Sequence, residues 1–106
     1  QEFDGLTAIV CTEKSRVRWL AKQLEESAAK VLTSHDSLPA KGVVLLDLAL
    51  AKGLEFDQVI VADAQEEVYK VDGISRRRLY TALSRAMHHV IVVSQGKMTS
   101  LLSKLL

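Results

Sequence analysis

Four short apolar runs, Leu6 to Cys11, Val43 to Leu46, Val59 to Ala62 and Val90 to Val93, restrict what this chain can fold into more than any other feature. Each is rich in β-branched residues and lacks the alternation of a strand with one wet face. Each therefore reads as a strand buried on both faces of a parallel sheet. Lys30-Val31-Leu32 is a weaker candidate for a fifth. Parallel strands need crossovers, and the segments between the runs carry helical patterns. Val17, Leu20, Ala21, Leu24 and Ala28 recur at helical spacing, with Lys, Arg and Glu on the other side and Thr12 available as a cap. Trp19 falls off this stripe, which places it at the edge of the core or in a surface that meets another domain. A second helix is predicted over Ser75 to Met87, capped by Ser75, with Leu79, Leu83, Ala86 and Met87 as its apolar stripe. Arg78 and Arg85 would share another face of it with Thr81. A third helix is predicted over Met98 to Leu106.

Strands alternating with helices predict an α/β domain with a mostly parallel sheet, helices on both faces and ligands at the carboxyl ends of the strands. With 106 residues, 48% of them hydrophobic, residues 1–106 are expected to form a single domain. No apolar run approaches the roughly 18 residues of a membrane span. The chain opens without Met and without a leader pattern, and reads as a segment of a longer protein. Its lone cysteine, Cys11, cannot form an internal disulfide and reads as a small buried hydrophobe, which suits a reducing, cytoplasmic setting. A net charge of +1 provides no domain-wide field for nucleic acid, so any such contact must be local. His88 and His89 are expected at a helix end, far from His35 and without further ligands at metal-binding spacing, so no metal site is expected. The polar stretch 64–73 reads as a surface loop.

Two segments could carry chemistry. In Ala51-Lys52-Gly53-Leu54-Glu55-Phe56-Asp57, Gly53 permits a tight turn and three charges crowd a short loop beside a strand. The second, Arg76 to His88, sets an arginine run on a helix, a pattern that also suits a solvated face. There is no GxxxxGK[ST] phosphate loop with its acidic Mg²⁺-holding partner, and no glycine-rich dinucleotide fingerprint. Without a phosphate loop, triphosphate affinity should be poor.

Together and in this order, these segments resemble the C-terminal motor domain of superfamily 1 helicases of the UvrD, Rep and helicase IV type. "AKGLEFD" is similar to that family's motif V, and "RRLYTALSRAMHHVIVV" to its motif VI and following strand; "TAIVCTEKSRVRWLAKQL" looks like the start of the same domain. The resemblance implies a three-layer RecA-like domain of the P-loop NTPase type. It also implies half of a shared ATP site, with ATP and Mg²⁺ bound mainly by an N-terminal RecA-like domain, so that the fragment alone is inactive. By position, Arg85 matches the arginine finger aimed at the γ-phosphate. Glu55 matches the motif V glutamate near the nucleotide's sugar, with Gly53 and Lys52 supporting that loop or approaching the ligand. Many DNA-unwinding relatives carry a Thr and then a His shortly before "AKGLEF", where this chain has Asp47 and Ala49. The resemblance therefore implies a single-stranded DNA track along the positions of Asp47 and Ala49, weakened by these residues. "SRAMH" beside "AKGLEFD" looks closer to the HelD and helicase IV group, some of whose members act on RNA polymerase. Two functions are thus expected: a DNA helicase or translocase motor, and a motor that remodels RNA polymerase.

Overall fold

The computed structural model describes residues 5–25, 27 and 29–102. It contains β1 (Leu6–Cys11), α1 (Lys14–Gln23), β2 (Lys30–Val31), β3 (Gly42–Asp47), α2 (Leu48–Ala51), β4 (Phe56–Val61), α3 (Gly73–Leu83) and β5 (Ala86–Val92). The strands form one sheet in the order β2-β3-β1-β4-β5, and every pairing is parallel. All five sequence-predicted strands are present. The central strand β1 lies between β3 and β4, and each of its residues is buried. That is why its sequence runs apolar without alternation.

The pleat sorts the core into two layers. Ala8 and Val10 of β1, Val44 and Leu46 of β3, and Val59 and Val61 of β4 belong to a cluster that includes Leu79 and Ala82 of α3 and Ala51 of α2. Ile9, Cys11 and Leu45 point the other way, against Val17, Leu20 and Ala21 of α1 and Leu24 at its C-terminal cap. Helix, sheet and helix make the three-layer α/β architecture expected from the sequence.

Several local predictions are corrected. Thr12 does not cap α1; its hydroxyl donates to the Asp63 carboxylate at 3.0 Å. The cap of α3 is Asp72, whose carboxylate accepts from the Ser75 amide at 2.7 Å, so the helix begins at Gly73 and Ser75 sits in its first turn. The same helix stops at Leu83, and Ala86, Met87, His88 and His89 belong to β5. The pairing of β5 with the buried β4 overrides the helical spacing of these residues. The stretch 64–73 is only partly surface, because Ala64, Gln65 and Tyr69 are buried and Tyr69 is among the largest enclosed side chains. Of the predicted C-terminal helix, Leu101 and Leu102 are helical, Met98 bridges to Gln65, and residues 103–106 lie outside the described residues. Ala28, from the α1 stripe, also lies outside them. Trp19 is exposed, at 52%, and packs in neither core cluster.

The layers predict where truncation is felt. Leu46→Ala should lower the unfolding free energy by about 2–5 kcal/mol in urea titrations. Val31→Ala, at an exposed position of the edge strand, should change it by less than about 1 kcal/mol.

Candidate functional site

The crossover from β3 to β4 is short: residues 48–55 run from the carboxyl end of β3, past β1, to the amino end of β4. Its second half is a tight turn. The Leu54 amide donates to the Ala51 carbonyl at 2.9 Å, with Lys52 at φ −61 and ψ 124 and Gly53 at φ 89. These are the angles of a type II turn, whose third residue must tolerate positive φ. A Cβ on Gly53 would meet nothing within 4 Å, so backbone conformation and not crowding selects glycine. Lys52 and Gly53 are exposed and line a cleft of about 240 Å³ with Thr33, Ser34 and Asp36.

Arg85 follows the last turn of α3 and grips the residues on both sides of Glu55. Its carbonyl accepts from the Phe56 amide at 2.8 Å, and its Nη1 donates to the Leu54 carbonyl at 3.4 Å. The guanidinium is further held by Nε to the Thr81 carbonyl at 3.2 Å and Nη2 to the Ser84 hydroxyl at 3.3 Å. Arg85 is half-buried, while Glu55 is exposed. The loop and the helix end that were distinct in sequence are one unit at the amino ends of β4 and β5. Each guanidinium nitrogen makes one bond within the chain, and each Nη carries a second hydrogen able to reach an outside acceptor. Asp57, at the start of β4, serves the fold instead, because its carboxylate accepts from the Leu6 amide at 2.8 Å and anchors the start of β1.

The other predicted residues lie elsewhere. Asp47 ends β3 as a buried residue that makes no capping bond, and Ala49 is exposed on α2. Both line a cleft of about 400 Å³ with Thr33, Ser34 and two cationic residues of α1, Lys14 and Arg18. This cleft opens at the carboxyl end of the sheet, about a strand length, roughly 20 Å, from the amino edge where Arg85 sits. Arg78 does not share a face with Arg85. It borders a third cleft, of about 510 Å³, at the start of α3.

Sequence reasoning missed a polar cluster beside that third cleft. Asp63, just after β4, accepts from the Thr12 amide and hydroxyl at 3.2 and 3.0 Å and pairs with Arg16 Nε at 2.9 Å. It is buried, at 2% exposure. Asp63 Oδ1, Arg16 Nε and the Tyr69 hydroxyl are enclosed without a geometrically sound hydrogen bond. The Arg16 contact is therefore an ion pair by distance, with its N–H out of line. The available signal was Asp63 one residue beyond an apolar run, at the strand end where such folds place polar groups. Among the described residues, no group of three His, Cys, Asp or Glu side chains is placed to hold a metal ion. Among the same residues, no helix is long and apolar enough to cross a membrane.

Comparison with known proteins bears on this geometry. Residues 42–93, from β3 through β5, match the family model of the UvrD-like helicase C-terminal domain. The chain is also similar to the C-terminal domain of a possible DNA helicase from Lactobacillus plantarum WCFS1, at 35% identity and a TM-score of 0.83. That likeness covers 96% of this chain and 63% of the solved one, so this chain spans less than two thirds of its relative's length. No curated protein matches the sequence.

Burial sets the chemistry of Cys11. Its thiol is pushed up to about 12, first by burial and then by the nearby Asp63 carboxylate. Burial, reinforced by Asp63, also raises the Tyr69 phenol. In both groups the fold favours the neutral form, so the stabilisation is complete below the unfolded pKa and is lost as pH rises toward the folded one. Stability to urea should therefore fall as pH rises from 9.0 toward 12, and fall less in Cys11→Ala. At pH 8, iodoacetamide should label native Cys11 at least ~100-fold more slowly than the unfolded chain; equal rates would contradict this burial.

Proposed function

We propose that this chain, which over residues 42–93 matches the UvrD-like helicase C-terminal domain, is the second motor domain of an ATP-dependent DNA helicase or translocase. In this reading, Arg85 and Glu55 complete an ATP site carried mainly by an N-terminal RecA-like domain. The observation that carries it is the hold of Arg85 on both neighbours of the exposed Glu55 at one sheet edge, its carbonyl on the Phe56 amide and its Nη1 on the Leu54 carbonyl. The chemistry fits a nucleotide. A fixed guanidinium with spare N–H donors suits the charge that builds on equatorial phosphate oxygens during phosphoryl transfer. An exposed carboxylate is a natural acceptor for ribose hydroxyls. Arg85 is already restrained by three bonds, so little side-chain order remains to be imposed when the two domains close.

Lys52 and Gly53 serve this site as the turn that presents Glu55. Mg²⁺ and the phosphate loop belong to the other domain, and the fragment by itself is inactive. The single-stranded DNA track runs at the opposite edge, by Asp47 and Ala49, where Lys14 and Arg18 supply the positive charge that those two positions lack.

A second reading is favoured by the same cleft. Asp47 is buried and Ala49 can neither stack on a base nor donate to a phosphate, which suits a HelD-like ATPase that drives RNA polymerase instead of moving on DNA.

In the full-length parent, Arg85→Ala should reduce ATP turnover by roughly a thousandfold while nucleotide binding stays within a few-fold, and Arg85→Lys should not rescue it. Wild-type turnover in Arg85→Ala would defeat the assignment. The tracks separate by stimulation: single-stranded DNA should raise ATPase activity strongly for a translocase, whereas stimulation by RNA polymerase alone would select the second reading.

A further inference from the structure

Helix α3 ends in a way that turns its last polar groups onto Arg85. The Ser84 amide donates to the Tyr80 carbonyl at 2.9 Å, as a helix requires, but the Arg85 amide turns to the Ala82 carbonyl at 3.3 Å and not to that of Thr81. This tightened last turn frees the Thr81 carbonyl, one of the acceptors that a helix end leaves over. Two side chains take it up: the Ser84 hydroxyl donates to it at 3.1 Å and Arg85 Nε at 3.2 Å. Arg85 Nη2 closes the ring by donating to the Ser84 hydroxyl at 3.3 Å. With its own proton committed to Thr81, that hydroxyl presents lone pairs to the guanidinium. A single half-buried oxygen therefore joins the helix end to the arginine.

We propose that Ser84 is a positioning residue for Arg85, whose guanidinium plane its hydroxyl fixes so that the remaining Nη hydrogens meet the transferred phosphoryl group of the shared ATP site. The proposal rests on the reading of Arg85 as the arginine that completes that site. Three of the guanidinium's N–H donors are bonded within the chain, and the bond of Nη1 to the Leu54 carbonyl is the longest of them, at 3.4 Å. Without Ser84 the group would keep that long bond and the one from Nε, which lies close to the pivot. Its plane would then be free to swing about the last side-chain torsion. Donors stabilise developing charge only when they are aimed before the reaction, and a misplacement of about 1 Å can cost roughly a hundredfold in rate. The helix itself depends less on Ser84. With alanine at this position the Thr81 carbonyl keeps its bond from Arg85 Nε, and alanine is the better helix former.

The test is a double-mutant cycle on ATP hydrolysis by the full-length parent. Ser84→Ala should lower kcat by roughly ten- to a hundredfold while KM for ATP stays within a few-fold and the thermal unfolding midpoint is unchanged. Ser84→Thr, which keeps the hydroxyl, should recover most of the loss. Added to Arg85→Ala, Ser84→Ala should cost nothing further in single-turnover hydrolysis, because a group that acts through Arg85 then has nothing left to position. Wild-type kcat in Ser84→Ala beside a crippled Arg85→Ala would overturn the proposal and leave the ATP-site reading standing. An equal loss in both backgrounds would also overturn it, by giving Ser84 a role apart from Arg85. Wild-type turnover in Arg85→Ala would overturn both.

Discussion

A parallel strand cannot be joined to its partner by a tight hairpin, and the crossovers that set β1 between β3 and β4 answer that constraint. Each strand must be re-entered from the same end, so every connection crosses the sheet and has to be packed on one of its faces. Burying all of β1 satisfies its backbone on both sides and splits the core into the layer of Ala8 and Val10 and the layer of Ile9 and Cys11. Both layers hang from this strand. The Asp57 carboxylate at one end, on the Leu6 amide, and Asp63 at the other, on the Thr12 amide, tie β1 to β4 beyond its own ladder.

The same constraint creates the candidate site. Crossovers return the chain to the amino ends of the strands, and two of them arrive side by side: the turn after α2 enters β4, and the end of α3 enters β5. Arg85 and Glu55 are far apart in sequence, and the adjacency of β4 and β5 makes them neighbours. Ligand sites at the carboxyl ends of strands are the general expectation for open α/β sheets. Here Arg85 and the turn that leads to Glu55 lie at the opposite edge. The carboxyl ends hold the Asp63 cluster and the cleft of Asp47, Lys14 and Arg18 instead.

How much of this was legible in the sequence depended on the range of the interaction that decides each feature. The strand runs were readable because burial on both faces leaves a local signature, and even the short Lys30–Val31 strand was found. The turn at Gly53 was readable because positive φ singles out glycine. The end of α3 was not, since Ala86 and Met87 fit a helical stripe and only the pairing of Ala86 with Phe56 draws them into β5. Tyr69 was missed for a related reason. It stands among charged residues, and what buries it is packing with parts of the chain distant in sequence, including the Thr99 hydroxyl that donates to its carbonyl at 2.6 Å. Lys52 and Glu55 were placed by motif alone, because nothing in an exposed charge reveals its neighbours.

The uneven cover of the sheet has a consequence for Arg85. Its carbonyl bond to Phe56 is the first link between β4 and β5, and the ladder below it is irregular between Phe56 and Gln58. Among the described residues no helix packs extensively on the other face of those two strands, away from α3, so the Arg85 carbonyl bond to the Phe56 amide and the guanidinium bond to the Leu54 carbonyl carry the register at this edge.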